Sequence, residues 1–193
     1  ATAGNLTLGA TNLTGTLNAT AGGVSTTSLS ALGATDAVNG GTVSTGNITI
    51  ADSDTLTLAG STIGTGSITG ANLVGGATAS NVAFDATGAV TVGGAVGTDI
   101  GTVTVTNSAG ASFQAVTATG VSIANTGAGN TVAFNGTLNT GTLAAAAGAT
   151  PSYNVSLLGA GNTITGAAST LSNTGTATLA SGGTTTTFAN GVT

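Results

Sequence analysis

The chain has 193 residues, and five Asp are its only charged side chains. It has no Lys, Arg, His, Glu, Cys, Met or Trp, and its formal net charge is -5. Without a basic side chain it has no electrostatic grip on nucleic-acid phosphate or anionic lipid, and without Cys it has no disulfide, thiolate metal site or thiol nucleophile.

So low a charge fraction usually marks disorder. Here the mean hydropathy is +0.46, and the apolar residues are rich in Val, Ile and Leu and ordered in a pattern. In chain order, apolar-polar-apolar triplets stand at Leu6-Thr7-Leu8, Ile48-Thr49-Ile50, Leu56-Thr57-Leu58, Val82-Ala83-Phe84 and Val90-Thr91-Val92. They continue at Val103-Thr104-Val105, Val121-Ser122-Ile123, Val132-Ala133-Phe134, Val155-Ser156-Leu157 and Ala177-Thr178-Leu179. Alternation at period two predicts strands, and the Gly, Asn, Ser and Asp between triplets predict turns. The one Ala run, Ala144 to Ala147, is stopped by Gly148, so no helix is expected.

Strands this short do not make independent hairpin sheets. They suffice if each stacks on its equivalent one coil away, as in a solenoid. Internal similarity agrees. Phe113-Gln114-Ala115-Val116 with Val121 repeats as Phe134-Asn135-Gly136-Thr137-Leu138 with Leu143. Weaker echoes pair Gly127–Val132 with Gly159–Ile164, and Val82–Asp85 with Val132–Asn135. The prediction is an all-β, right-handed parallel β-helix over 1–193, a single segment. At roughly 20 residues per coil it has about nine or ten coils, each rising ~4.8 Å, or ~45 Å in all. An antiparallel sandwich would need longer, evenly spaced strands, and a membrane barrel would need aromatic girdles.

The phrases Thr102-Val103-Thr104-Val105-Thr106-Asn107-Ser108, Tyr153-Asn154-Val155-Ser156-Leu157-Leu158-Gly159 and Leu171 to Leu179 resemble secreted bacterial β-solenoids. The likeness is to the filamentous-haemagglutinin and autotransporter-passenger type, and within it to giant β-strand-repeat surface proteins. It implies an extracellular, cell-surface location and an adhesive or scaffolding role. The absence of Lys, Arg and Glu departs from most such proteins and favours a packed fibre.

No catalytic residue, cofactor or metal site is expected. Polysaccharide lyases on this fold need a basic residue, and hydrolases need clustered carboxylates. Asp52 and Asp54 are the close pair, read as a solvated turn; a calcium site there would be the sharper alternative, and stability is expected not to depend on calcium. Gly127-Ala128-Gly129 lacks the Lys of a phosphate loop and reads as a turn. Asn-x-Ser/Thr sequons at Asn5, Asn12, Asn18, Asn47, Asn135 and Asn154 match what the composition would give, and leave glycans open as partners.

Phe84, Phe113, Phe134 and Phe188 are expected to point inward. Asn107, Asn125, Asn130 and Asn162 are candidates for turn ladders. Rows such as Thr102–Thr106 and Thr184–Thr187 leave an ice-binding face as an alternative, beside a carbohydrate adhesin. The sequence running off Phe188 to Thr193 would continue into Ala1 to Leu8 with the spacing of Phe134 to Leu143. Copies of the chain are therefore the expected partners, in tandem or stacked head to tail.

Overall fold

The computed structural model describes residues 5–19, 22–71, 79–150, 152–180 and 183–193. Residues 1–4 of the expected end-to-start join lie outside these. The described residues are all-β with no helix, and they form a parallel β-solenoid of about 8 turns. Each coil has three faces, with strands that in places run on around a corner, as Thr35–Ile50 does, and the strands pair in parallel with their equivalents one coil on.

The inward columns follow from the registers. On the first face Leu6, Val24, Val43, Ile63, Val90, Ala111, Val132, Val155 and Ala177 stand one above another. On the second the column is Leu29, Ile48, Ile68, Val96 and Val116, continued by Leu138. On the third it is Leu58, Phe84, Val105, Ile123 and Ala145. Every triplet read from the sequence that lies between the terminal coils has both apolar members buried. No coil buries much alone; stacking joins these columns into one core.

The nine first-face positions are separated by eight steps, at the lower end of the expected coil number, and coil length varies. Leu6 to Val24 is a step of 18 residues, whereas Ile68 to Val96 is 28. The long coil includes residues 72–78, outside the described set. The Phe113 and Phe134 similarity is a true coil repeat, since Phe113 pairs with Phe134, Val116 with Leu138 and Val121 with Leu143. The weaker echoes are not. Val82 belongs to the third face and Val132 to the first, while Ile164 lies on the second. Similar local turns recur at different corners, and that alone made those phrases look alike.

Phe84, Phe113, Phe134 and Tyr153 are fully buried. Phe113 meets Phe84 edge-on at 5.7 Å between centroids and stacks on Phe134 at 5.3 Å. Phe188 departs from the expected full burial. It sits in the last coil, packed on the core from one side and half-buried.

Some inward positions carry hydroxyls. Thr26 and Thr45 stack in one column, and both Oγ1 atoms are buried without a hydrogen-bond partner. A buried unpaired hydroxyl is unfavourable, and Val has the same shape without it. Thr45→Val is therefore expected to raise stability by about 1 kcal/mol, read from the shift of a denaturation midpoint. An unchanged or lower midpoint would show that the hydroxyl is satisfied in solution.

The corner between first and second faces is a column of glycines. A Cβ on Gly66 would lie 2.9 Å from the Gly46 carbonyl carbon, one on Gly94 2.6 Å from Ser67 N, and one on Gly136 2.8 Å from Ala115 Cα. At Gly46 a Cβ would enter the Thr27 carbonyl oxygen, and at Gly159 that of Gly136. Here one coil's backbone lies flat on the next, with no room for a side chain.

Candidate functional site

Two polar features stand out against this apolar frame: amides that bond coil to coil, and one buried pair of acids. The amides come first. Asn107 Nδ2 donates to Asp85 Oδ1 at 2.8 Å, Asn125 Nδ2 to Asn107 Oδ1 at 2.9 Å, and Thr150 Oγ1 to Asn125 Oδ1 at 3.1 Å. This is the expected ladder, climbing four coils at one corner. Asn162 serves differently. It is buried, accepts from Leu138 N at 2.9 Å and donates to Gly159 O at 2.9 Å and Thr186 Oγ1 at 3.1 Å. Asn130 forms a turn in which its own N–H donates to Gly127 O at 3.1 Å.

Five of the six sequon asparagines have their amides bonded between coils. Asn5, Asn47 and Asn154 accept the backbone N–H of Gly23, Ser67 and Thr176 at 2.9, 3.1 and 2.8 Å. Asn18 accepts from Asn39 at 2.7 Å, and Asn135 donates to Ser112 Oγ at 2.9 Å. A glycan on such an amide would compete with these bonds.

The acid pair is not the one adjacent in sequence. Asp54 lies in the turn after Ile50, where its N–H donates to Ala51 O at 3.0 Å and Ser53 takes a φ of 63°. It is not solvated, as the sequence reading expected, but fully buried. Its partner is Asp36, also fully buried, one coil below. Asp36 pairs with Leu56 in the sheet, so it takes an inward slot filled in the next coils by Leu56, Val82 and Val103. Asp36 Oδ2 accepts from Gly33 N at 2.9 Å, and its Oδ1 accepts from Gly15 N.

The two acids are held in opposite states. Burial pushes Asp36 upward, but the N–H groups of Gly15, Gly33 and Leu32 and the hydrogen bond from Asp54 outweigh it, leaving the carboxyl below its ordinary range. Burial, then the hydrogen bond to Asp36 and the charge on it, push Asp54 up to about 6. Burial also pushes the Tyr153 hydroxyl up to about 12, while the group donates to Ala146 O at 2.7 Å.

Among the described residues no group of three or more metal-ligating side chains is placed to hold a metal ion. Surface depressions are open and shallow, such as the groove lined by Asn18, Asn39, Gly41, Ser61, Asp85 and Thr87. Tyr153 and three of the four Phe are buried, so they offer no stacking platform to a sugar. The outward Thr104 lies between Ala83 and Ser122, and Thr102 beside Gly120, so this row does not continue as threonine into those coils, whereas Thr187 pairs with Thr163.

No family model, curated protein or solved structure matches the chain.

Proposed function

We propose that the chain is a non-catalytic structural element of an extracellular bacterial surface fibre, sheath or adhesin stalk, continued end to end by further copies of its own coils. The observation that carries this is where the core is unfinished. Among the described residues, the partly buried apolar side chains packed against it are Leu6, Leu17, Leu171, Leu179 and Phe188, all in the first or last coils. On this reading the first and last described coils each hold an incomplete layer of core that a further coil would cover.

The reading requires the two incomplete layers to meet in register, and inward columns run to both ends. The first-face column begins at Leu6 and ends at Ala177; on the second face Leu13 pairs with Ala31 at one end, and Ile164 with Phe188 at the other. Stacking one end on the other would cover apolar surface and pair both edges. Contacts between unlike ends do not close on themselves, so they propagate as a filament. A surface of Thr, Ser, Asn, Gly and Ala without a cation, and with two of its five carboxylates buried, opposes such packing only weakly. The resemblance to filamentous-haemagglutinin and autotransporter-type solenoids points the same way.

The test is a direct fusion of two copies, Thr193 to Ala1, without a linker. If the coils continue through the join, melting is one transition at a temperature several degrees above that of the single chain. The end coils at the junction then gain amide-exchange protection, because adding repeats adds interfaces. Two copies that melt like one, with no protection at the junction, would overturn the reading. Electron microscopy of the single chain at high concentration then tells whether contact alone builds the fibre.

A further inference from the structure

The chain contains no cationic side chain, yet it buries two carboxyl groups in adjacent coils, where the register sets Asp36 beside Leu56 and Asp54 two residues before it, and the two interact. Asp36 is met by backbone donors from two turns. Asp54 is poorly met: both of its carboxyl oxygens are buried, and the one backbone donor that faces them, Thr55 N, lowers its pKa less than burial and Asp36 raise it. Two carboxylates in mutual contact in a low-dielectric interior repel strongly, and no Lys, Arg or His exists to neutralise them. A proton carried by Asp54 and donated to Asp36 resolves both problems. It removes one charge and satisfies an oxygen on each side.

We propose that Asp36 and Asp54 form a proton-sharing latch, an acid-strengthened tie that clamps the second and third coils together and loosens when the proton leaves.

The surroundings set its behaviour. Asp36 grips Gly15 in the turn below and Gly33 in its own turn, so one carboxylate spans two coils and the shared proton reaches a third. The coil above closes the site through Asn81 N, which donates to Asp54 O at 2.8 Å. Of the titratable groups, only Asp52 shares this turn. Asp85 and Asp99 lie in later coils, Tyr153 lies far along the axis, and residues 72–78 carry no titratable side chain.

The sign follows from the two shifts. Asp54 is raised from 3.8 to about 6, so the folded chain holds a proton that the unfolded chain releases. That contribution is complete below about pH 4 and is lost as pH rises through about 6. Asp36 is lowered, so its contribution is present above the ordinary carboxyl range and is lost only in stronger acid. The latch is therefore tightest in mildly acidic solution.

The test is amide hydrogen exchange at Gly15 and Gly33, corrected for the intrinsic effect of pH, together with melting temperature from pH 4.5 to 7.5. The expected result is a loss of protection of about 25-fold and a fall in melting temperature of roughly 4–8 °C. In Asp54→Asn, whose amide donates to Asp36 at every pH, both dependences should vanish, while Asp85→Asn keeps them. Equal pH dependence in wild type and Asp54→Asn would overturn the proposal. If Asp54→Asn does not fold, carbon-13 titration of the wild-type carboxyls decides. One midpoint near 6 upholds the latch, and ordinary midpoints for both acids overturn it. Protection that persists at pH 7.5 and disappears with a chelator would mean that a metal ion, not a proton, joins the pair, and would also overturn it.

Discussion

Phe134→Ala is expected to destabilise the solenoid by about 3–5 kcal/mol, the usual cost of emptying a fully buried aromatic position. Phe134 has no exposed surface and stacks on Phe113, which in turn meets Phe84 edge-on. The void would open in the middle of a column with Phe113 below and Leu157 above, both fixed by parallel pairing. Collapse to fill it would require shifting a coil, and the ladders on the other two faces resist that. Phe134→Leu keeps most of the volume and should cost much less. Denaturant midpoints of the two variants give the comparison. A loss below 1 kcal/mol for the Ala variant would mean that this core repacks freely.

Gly46→Val should be nearly as damaging, for a reason that has nothing to do with the core. Any Cβ at this position would overlap the carbonyl oxygen of Thr27 in the neighbouring coil. Backbone cannot rotate away as a flexible side chain can, so the coils must part and several ladder hydrogen bonds must stretch. A loss of about 3 kcal/mol or more is expected. Gly64→Ala is the control. Its Cβ would meet nothing within 4 Å, so it should be neutral or slightly stabilising. Similar melting temperatures for Gly46→Val and Gly64→Ala would show that the corner is looser than its geometry implies.

These cases mark what could be read from the chain alone. The triplets announced themselves because Val82 and Phe84 flank the small Ala83, and Val103 and Val105 flank Thr104, and alternation is a local property. The Phe113 and Phe134 repeat was legible because two full faces recur in the same order. Strands such as Val43-Ser44-Thr45 and Asn162-Thr163-Ile164 were not legible. One inward position in each is polar, so the alternation looks broken although the register is intact. The glycine corner did leave a signal. Gly46, Gly66, Gly94 and Gly136 each stand two residues before an inward aliphatic, at Ile48, Ile68, Val96 and Leu138. In a chain with 34 glycines that regularity is hard to see.

The acid pair was beyond reach for a different reason. Asp52 and Asp54 are neighbours in sequence, whereas Asp36 meets Asp54 only through a coil of particular length. With steps that range from 18 to 28 residues, no fixed period brings these two together. The expected calcium question therefore centred on Asp52 and Asp54, and the contact that matters joins Asp54 to the coil below.

The parallel stacking also decides how such a rod would answer to a pull. Strands run around the axis and their hydrogen bonds run along it, so tension applied between the two ends loads one coil-to-coil seam after another. A coil of about 21 residues takes up ~4.8 Å of rod, yet its backbone reaches ~70 Å when drawn straight. Each coil that peels away therefore pays out more than ten times its resting length. The seams should yield one at a time, because each coil leans only on its neighbours. A tether built from these coils would be stiff under light load. Beyond a threshold it would lengthen in steps, absorbing a jolt by surrendering single turns while the rest of the rod stays wound.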